Sequence, residues 1–366
     1  VYSVLPTNGD GDFTFDRNST GTRVNKDGLI EQVATDVPRL DYSDGSCPSL
    51  LLEPSSVNLI TKSNEVTSVS GAIINLNAAI SPDGTLNAFK IKFTGGSSNA
   101  GGLLNLENQT ANFAASTLYT LSFYAKNLVG NGQFTARIDT DVSIVKQESF
   151  TATSNWQKYT VSFTTDVGST TFSSNSRFRN FQENGEVLFY GVQLEKGIAT
   201  SLIPTTTNTQ SRSVDSAFKT GLSSYISSTA GVLYAEFAGL SNVLDGTYKV
   251  LTLKGAAGGA NVILLGITSA NKIYASVGGT FISDVTPSDI TAFNKVAIKY
   301  ENNNSKLFVN GVQIGATNTT ATVPSGLSRL GLDSGNGGSK FHVKARDLRV
   351  YNTALTDAKL TTLTTI

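Results

Sequence analysis

The sequence predicts an all-β protein: two antiparallel β-sandwiches of jelly-roll type, preceded by a small strand-and-turn N-terminal segment. Three observations point there. Apolar residues recur with a period of two along many short stretches, and Gly, Asn, Asp and Ser turn signals separate those stretches. The composition is rich in Ser, Thr, Asn and Gly, with 34 Gly and only 15% charged residues, against about 25% in ordinary soluble domains. Hydroxyl and amide side chains suit turns and the solvent faces of strands. With 366 residues the chain exceeds what one hydrophobic core usually serves, so two or three domains are expected.

Residues 1–60 read as short strands and turns. Asp27-Gly28 and Asp44-Gly45 are turn dipeptides, and Phe13, Phe15, Val24, Leu29 and Ile30 supply a small apolar set. That set is too thin for a stand-alone core, so the segment is expected to lean on a neighbouring domain or on another copy of the chain. Residues 61–200 alternate clearly. Tyr119, Leu121 and Phe123, then Phe134, Ala136 and Ile138, then Tyr159, Val161 and Phe163 each share a face, and so in this reading do Leu188, Tyr190, Val192 and Leu194. Residues 201–220 are rich in Thr and Ser around Pro204 and read as an extended connector. Residues 221–366 form the second sandwich. Leu233, Ala235 and Phe237 oppose Val232, Tyr234 and Glu236, while Val296, Ile298 and Tyr300 alternate with Lys295, Ala297 and Lys299. In KLFVNGVQI, Asn310-Gly311 between two apolar runs predicts a two-residue hairpin, and a short helix is expected around Thr356–Leu363.

Charge and cysteine usage remove several function classes. Lys+Arg and Asp+Glu both number 28. Without a basic cluster there is nothing to displace the counterions of a nucleic acid, so no nucleic-acid partner is expected. No apolar run approaches the roughly 18 residues that span a bilayer, and the N-terminal VYSVLP does not read as a signal peptide. Cys47 is the only cysteine, which rules out an internal disulfide. It is expected to be a buried, inert thiol beside the run Leu50–Leu52.

The residue inventory argues against an enzyme. His342 is the only histidine, so HExxH metal sites are impossible and a Ser-His-Asp triad has one candidate base, in the strand-like KFHVKAR. There is no GxSxG elbow to present a serine. Glycan cleavage needs only two carboxylates. Asp139 and Asp141 have the right spacing but flank a strand end, whereas Glu236 is isolated in sequence and Asp347 lies near the end of the last long strand. Asn8, Asp10 and Asp12 imitate the opening of a calcium loop, yet Phe13 and Ser19 stand where glycine and glutamate are needed. No catalytic residue, metal site or cofactor is predicted. Sugar-stacking candidates are Tyr124, Tyr225 and Tyr274, which the sequence does not rank; Trp156, the only tryptophan, is read as a core anchor ahead of a sugar platform because a lone Trp is normally well buried, and Ser176–Phe181 (SRFRNF) reads equally as an exposed loop tip or as strand alternation.

Three pieces, FTFDRNSTGTRVNKDGLIE (Phe13–Glu31), VPRLDY (Val37–Tyr42) and CPSLLLEPSSVNLI (Cys47–Ile60), together with VQLEKGIATSLIPTTTNTQSRSVD (Val192–Asp215), resemble modules of adhesion and structural proteins on the virions of tailed bacteriophages. Residues 61–200 resemble non-catalytic carbohydrate-binding modules. The hairpin with the ending DLRVYNTALTDAKL resembles the concanavalin A-like or laminin-G-like lectin sandwich. These resemblances imply a non-enzymatic virion structural or adhesion protein, a tail fibre, tail tip or head fibre component. Its partners would be other virion proteins and further copies of itself, a trimer by resemblance, with host-surface glycan as the attachment target. They imply that Trp156 is a packing residue and make Glu195 a candidate ligand of a structural calcium. The rival readings are a secreted bacterial glycan-binding protein and a polysaccharide depolymerase.

Overall fold

A computed structural model of the chain describes residues 13–69, 71–94, 101–106, 113–180, 183–255 and 262–366; the acidic turn at Asn8, Asp10 and Asp12 lies outside the described residues. The fold is almost entirely antiparallel β, and the one helix among the described residues is Asp357–Thr364. The chain forms two compact units that are discontinuous in sequence. One gathers the residues up to Thr20, Val33–Pro54 and Ser213–Ile366, and the other gathers Gly21–Gln32 and Ser55–Arg212. The expected blocks 1–60, 61–200, 201–220 and 221–366 are therefore not the units observed. The first segment has too little apolar surface for its own core; Gly21–Val24 and Ile30–Val33 pair with each other, and its other strands join sheets with strands from later in the chain.

In the first unit, two seven-stranded sheets enclose the core. The first sheet runs Thr14–Asp16, Ser216–Lys219, Leu327–Gly331, Lys249–Gly255, Val262–Ile267, Ile273–Val277, Thr280–Val285. The second runs Val312–Asn318, Ser305–Val309, Asn294–Glu301, Ala230–Gly239, Val343–Tyr351, Ser49–Leu51, Arg39–Asp41. Leu251, Leu265 and Ala275 of the first meet Leu233, Phe237, Val296 and Ile298 of the second, with Leu50 and Leu52 from the N-terminal segment in the same cluster. The predicted hairpin is present: Val309 pairs with Val312, and Asn310 and Gly311 have φ of 49° and 85°, the positive values that this turn demands. The expected helix starts where Thr356 accepts a hydrogen bond from the Lys359 N–H, an N-cap. Its Leu360 is buried against Val232, Tyr234, Ala297 and Phe308, covering part of the second sheet's outer face.

A fully buried charge cluster ties the N-terminal strands into this unit. Asp215 accepts from Arg17 Nη1 at 3.3 Å through Oδ1, and from Arg39 Nη2 and the Glu53 N–H through Oδ2, the last at 2.8 Å. Arg39 Nη1 donates to Glu53 at 2.6 Å. Arg17 also donates to the carbonyls of Ser19 and Val37 at 3.0 Å and to that of Ala34. The side chains of Arg17, Arg39 and Asp215 are all 0% exposed. Buried charge is tolerated only when paired and hydrogen-bonded, as here.

The second unit is a jelly roll of two five-stranded sheets. One runs Ile144–Thr151, Gln133–Asp139, Arg177–Arg179, Gly102–Leu104, Val66–Ser68; the other runs Gln157–Thr164, Leu118–Val129, Glu183–Lys196, Leu86–Thr94, Ala72–Ile80. Phe178 and Phe189 stack at 4.5 Å, with Phe134 edge-on to Phe189 at 5.0 Å. One expected alternation is corrected. Leu188 and Tyr190 do not share the core face with Val192 and Leu194; Val187 and Phe189 do. The pairing with Leu118–Val129 shifts register between Ser122 and Tyr124, beside Gly191 at φ 62°, and such a bulge swaps which face the following side chains take. Tyr190 instead joins Ile30 and Leu202 in a satellite cluster, with Val24, Tyr124 and Trp156 against it.

The stretch 201–220, expected as a connector, is ordered. Leu202, Ile203 and Thr205 are buried, Gln210–Arg212 pairs with Ser56–Asn58, and Asn58 Nδ2 donates to the Ile203 carbonyl at 3.0 Å. Its Thr/Ser composition resembles a linker because hydrogen bonding to backbone, rather than apolar bulk, holds it in place.

The turn between Ala72–Ile80 and Leu86–Thr94 is organised by Asp83. Burial pushes its carboxyl up, but hydrogen bonds from Ser81, Thr85 and Asn87 more than offset this and hold it at about 2, against an ordinary 3.8. A lowered folded value stabilises above the unfolded value and is lost as pH falls through the folded one. Wild-type stability should therefore decline as pH falls from 3.8 to about 2, and Asp83→Asn should lose that part of the slope. Acid titration of unfolding, followed by Trp156 fluorescence, checks it.

Candidate glycan-binding face

The outer face of the first unit's first sheet offers the most suitable surface. Lateral rows cross its strands there. Val250, Gly266, Tyr274 and Asp284 are successive cross-strand partners, and so are Thr252, Leu264, Ser276 and Phe281. Alternation puts Leu251, Leu265 and Ala275 in the core, so these rows lie on the opposite face, where Val250 and Thr252 are covered and Tyr274 is partly exposed. Tyr248, just before the strand Lys249–Gly255, meets Tyr274 edge-to-face at 5.8 Å. Tyr248 is 48% and Phe281 56% exposed. Gly266 separates Val250 from Tyr274, and a Cβ there would meet the Lys249 carbonyl oxygen at 2.3 Å, so the position accepts no larger residue.

Polar groups frame this strip. Lys272 Nζ lies 3.3 Å from Asp284 Oδ1, both groups partly exposed. Asp245 accepts from the Thr247 N–H at 2.9 Å and from Lys249 Nζ at 2.8 Å, shaping the loop that presents Tyr248. Burial raises the Asp245 carboxyl, and the bonds from Lys249 and Thr247 bring it below its usual range. On the far side, Thr252 Oγ1 donates to the Asp333 carbonyl at 2.9 Å and Lys254 Nζ to that of Gly335 at 2.8 Å, which sets loop 333–338 over this part of the sheet. Burial, then the nearby Tyr248, push the Tyr274 phenol up to about 12, so it stays a neutral donor and acceptor near neutral pH. Aromatic rings beside a cation, a carboxylate and hydroxyls match a pyranose, which has an apolar C–H face and a polar rim.

The other residues singled out by sequence lie elsewhere. Tyr124 packs near Tyr190 at 6.1 Å. Trp156 adjoins the satellite cluster and donates from Nε1 to the Ile80 carbonyl at 3.2 Å, a packing role. Tyr225 is exposed on the turn Leu222–Ile226. Of SRFRNF, Arg177–Arg179 is a strand and Phe178 is 0% exposed in the core, so alternation explains the run; Phe181 lies outside the described residues. Glu195 is buried, accepting from Gln193 Nε2 at 2.7 Å, the Thr200 N–H at 2.9 Å and Thr200 Oγ1; these bonds use the oxygens a calcium ion would need. Cys47 is exposed rather than buried, because the turn before Ser49–Leu51 carries it past the end of the strand. His342 is half-buried and precedes the strand Val343–Tyr351 by one residue.

The carboxylates divide by role. Asp139 is held bidentate by Arg137, with Nε at 2.8 Å and Nη2 at 2.6 Å, while Asp141 accepts from the Thr170 N–H and hydroxyl. Each is committed to a local bond. Glu236 and Asp347, far apart in sequence, are direct cross-strand partners, a juxtaposition that spacing along one strand does not reveal. Asp347 is paired with Arg349 at 2.5 Å, and Lys295 stands opposite Glu236 on the other side.

A search of curated proteins finds no match to the chain. Among solved structures it is similar to Trypanosoma rangeli sialidase at 15% identity, covering 40% of this chain and 25% of that one, with a TM-score of 0.33. It is similar also to the CBM40 of Ruminococcus gnavus IT-sialidase bound to α2,3-sialyllactose, at 19% identity over 38% of this chain and 84% of that one, with a TM-score of 0.31. The aligned part thus spans a quarter of the length of the T. rangeli enzyme. Residues 241–361, which hold Tyr248, Tyr274 and Phe281, match the family model of the concanavalin A-like lectin/glucanases superfamily.

Proposed function

We propose that this chain is a non-enzymatic structural and adhesion protein of a tailed-phage virion, and that it attaches to host-surface glycan through the Tyr248–Tyr274 face. The observation that carries the glycan reading is that partly exposed aromatic pair at 5.8 Å, on a face that also bears the Lys272–Asp284 ion pair. The family match over residues 241–361 supports the same reading. Support for the virion setting comes from the motif segments: Arg17, Arg39, Glu53 and Asp215, drawn from all four pieces that resemble phage modules, meet in one buried cluster. Antibodies against the chain should label tailed particles, and labelling confined to a bacterial secretome would overturn that setting.

For the glycan reading, Tyr274→Ala should weaken binding of a glycan selected on an array by about tenfold or more, roughly 1.4 kcal/mol. Val167→Ala, an exposed position in the other unit, should leave it unchanged. Undiminished binding by a folded Tyr274→Ala protein would overturn the assignment. Glu236 beside Asp347 favours the depolymerase as the second reading, and product release distinguishes it.

A further inference from the structure

Five Asn-Gly pairs occur in the chain, at Asn8, Asn131, Asn184, Asn310 and Asn336. The side chains of Asn8 and Asn184 lie outside the described residues; the other three are held very differently. In such a pair the glycine main-chain nitrogen can attack the asparagine Cγ, because no side chain crowds it and the two groups are already neighbours. Ring closure needs an unengaged nitrogen, a polarised carbonyl and an amide free to leave. At Asn310 all three are locked. Oδ1 accepts from the Lys295 N–H at 3.0 Å, Nδ2 donates to Asn294 Oδ1 at 2.8 Å, and the Gly311 N–H donates to Thr364 Oγ1 at 3.1 Å. At Asn131 one neighbour holds both ends of the amide: Oδ1 accepts the Gln133 N–H at 3.0 Å and Nδ2 donates to Gln133 Oε1 at 3.2 Å. Gly132 is wedged against Ala152, whose N–H donates to its carbonyl at 2.9 Å and whose carbonyl oxygen lies 2.3 Å from where a Cβ would stand.

Asn336 differs at each point. It is exposed in the run SGNGG, between Gly335 and Gly337, each at φ 85°, and nothing lies within 4 Å of the place a Gly337 Cβ would take. Among the described residues the Gly337 N–H has no acceptor and Asn336 Nδ2 makes no hydrogen bond. The oxygen alone is engaged: Oδ1 accepts from Ser334 Oγ at 2.5 Å and from the Gly338 N–H at 3.3 Å. Those donors also steady the oxyanion that develops as Cγ is attacked. We propose that Asn336-Gly337 is a self-modification site, where the folded chain converts its own amide to aspartate and isoaspartate with water as the co-reactant. The Gly337 nitrogen gives its proton to hydroxide and bonds to Cγ; the Cγ–Nδ2 bond breaks, and Nδ2 leaves as ammonia with a proton from water. Water then opens the succinimide ring. Attack at Cγ leaves aspartate in an unaltered main chain, and attack at the Asn336 main-chain carbonyl leaves isoaspartate, with the chain running through Cγ. Either product exchanges an amide for a carboxylate in the loop that Lys254 Nζ holds through the Gly335 carbonyl at 2.8 Å. The reaction does not rest on the glycan reading.

The test ages the full chain at mildly alkaline pH and follows each Asn-Gly peptide by mass spectrometry. Asn336 should convert about tenfold faster, or more, than Asn131 and Asn310, and should take up one heavy oxygen when the incubation is in heavy-oxygen water. Unfolding the chain in denaturant should bring the three rates together, since the fold is what separates them. Asn336→Gln, whose longer side chain closes a less favourable ring, should leave this peptide unconverted while the other sites react as before. Conversion of Asn131 or Asn310 ahead of Asn336, an equal spread of rates in the folded and unfolded chain, or undiminished conversion at position 336 in Asn336→Gln would each overturn the proposal.

Discussion

Asp215→Ala should destabilise the first unit by about 3–5 kcal/mol, the usual cost of deleting one partner of a buried ion network. The carboxylate is the shared acceptor of Arg17, Arg39 and the Glu53 N–H. Without it two guanidiniums remain 0% exposed, with Glu53 as the one carboxylate left in the cluster among the described residues. Arg17 keeps its carbonyl acceptors, so Arg39 should bear most of the loss. Asp215→Asn, which keeps an acceptor but no charge, should recover part of it. Hydrogen exchange in the strands Arg39–Asp41, Ser49–Leu51 and Ser216–Lys219 under rising denaturant reports the change directly. A loss below about 1 kcal/mol, the scale of an exposed salt bridge, would show that the cluster does not hold these strands.

A comparable effect is expected in the second unit from Phe189→Ala. The ring is 0% exposed, stacks on Phe178 at 4.5 Å, lies 5.0 Å from Phe134 and is 5.6 Å from Phe89. Removing a fully buried phenylalanine costs about 3–5 kcal/mol through lost burial and the cavity left behind. Trp156 is the only tryptophan and belongs to this unit, so the midpoint of its fluorescence transition in denaturant reads the effect. Leu188→Ala, on the opposite face, serves as the comparison: if Leu188 shared the core face the two losses would be similar, and the Gly191 bulge predicts that Phe189→Ala costs more.

Local features were legible in the sequence. Asn310-Gly311 announces its hairpin because few other pairs take positive φ twice, and Tyr119, Leu121 and Phe123 mark a core face because strand side chains alternate. A single glycine defeated the same logic at Gly191, since a bulge inserts a residue without any change in composition. Discontinuous units were harder to see. Arg17 and Asp215 are 198 residues apart, and no periodicity links a charged residue to a partner that distant; the repeated resemblance to phage modules was the one hint that the two segments belong together. The candidate face was half legible. Tyr274 was among the unranked aromatics, but its pairing with Tyr248 depends on a lateral row across strands, as does the meeting of Glu236 with Asp347. Trp156 illustrates the reverse: the most conspicuous aromatic in the sequence is used for packing.

The proposed function is to hold a glycan without cutting it. The most direct measurement is to incubate the purified full chain with a polysaccharide it binds on an array, following retention of the polymer and appearance of new reducing ends in the same samples. The account predicts saturable retention that falls with Tyr274→Ala, and a reducing-end count that stays at the level of the polymer alone. Steady accumulation of reducing ends, abolished by Glu236→Gln or Asp347→Asn, would contradict it.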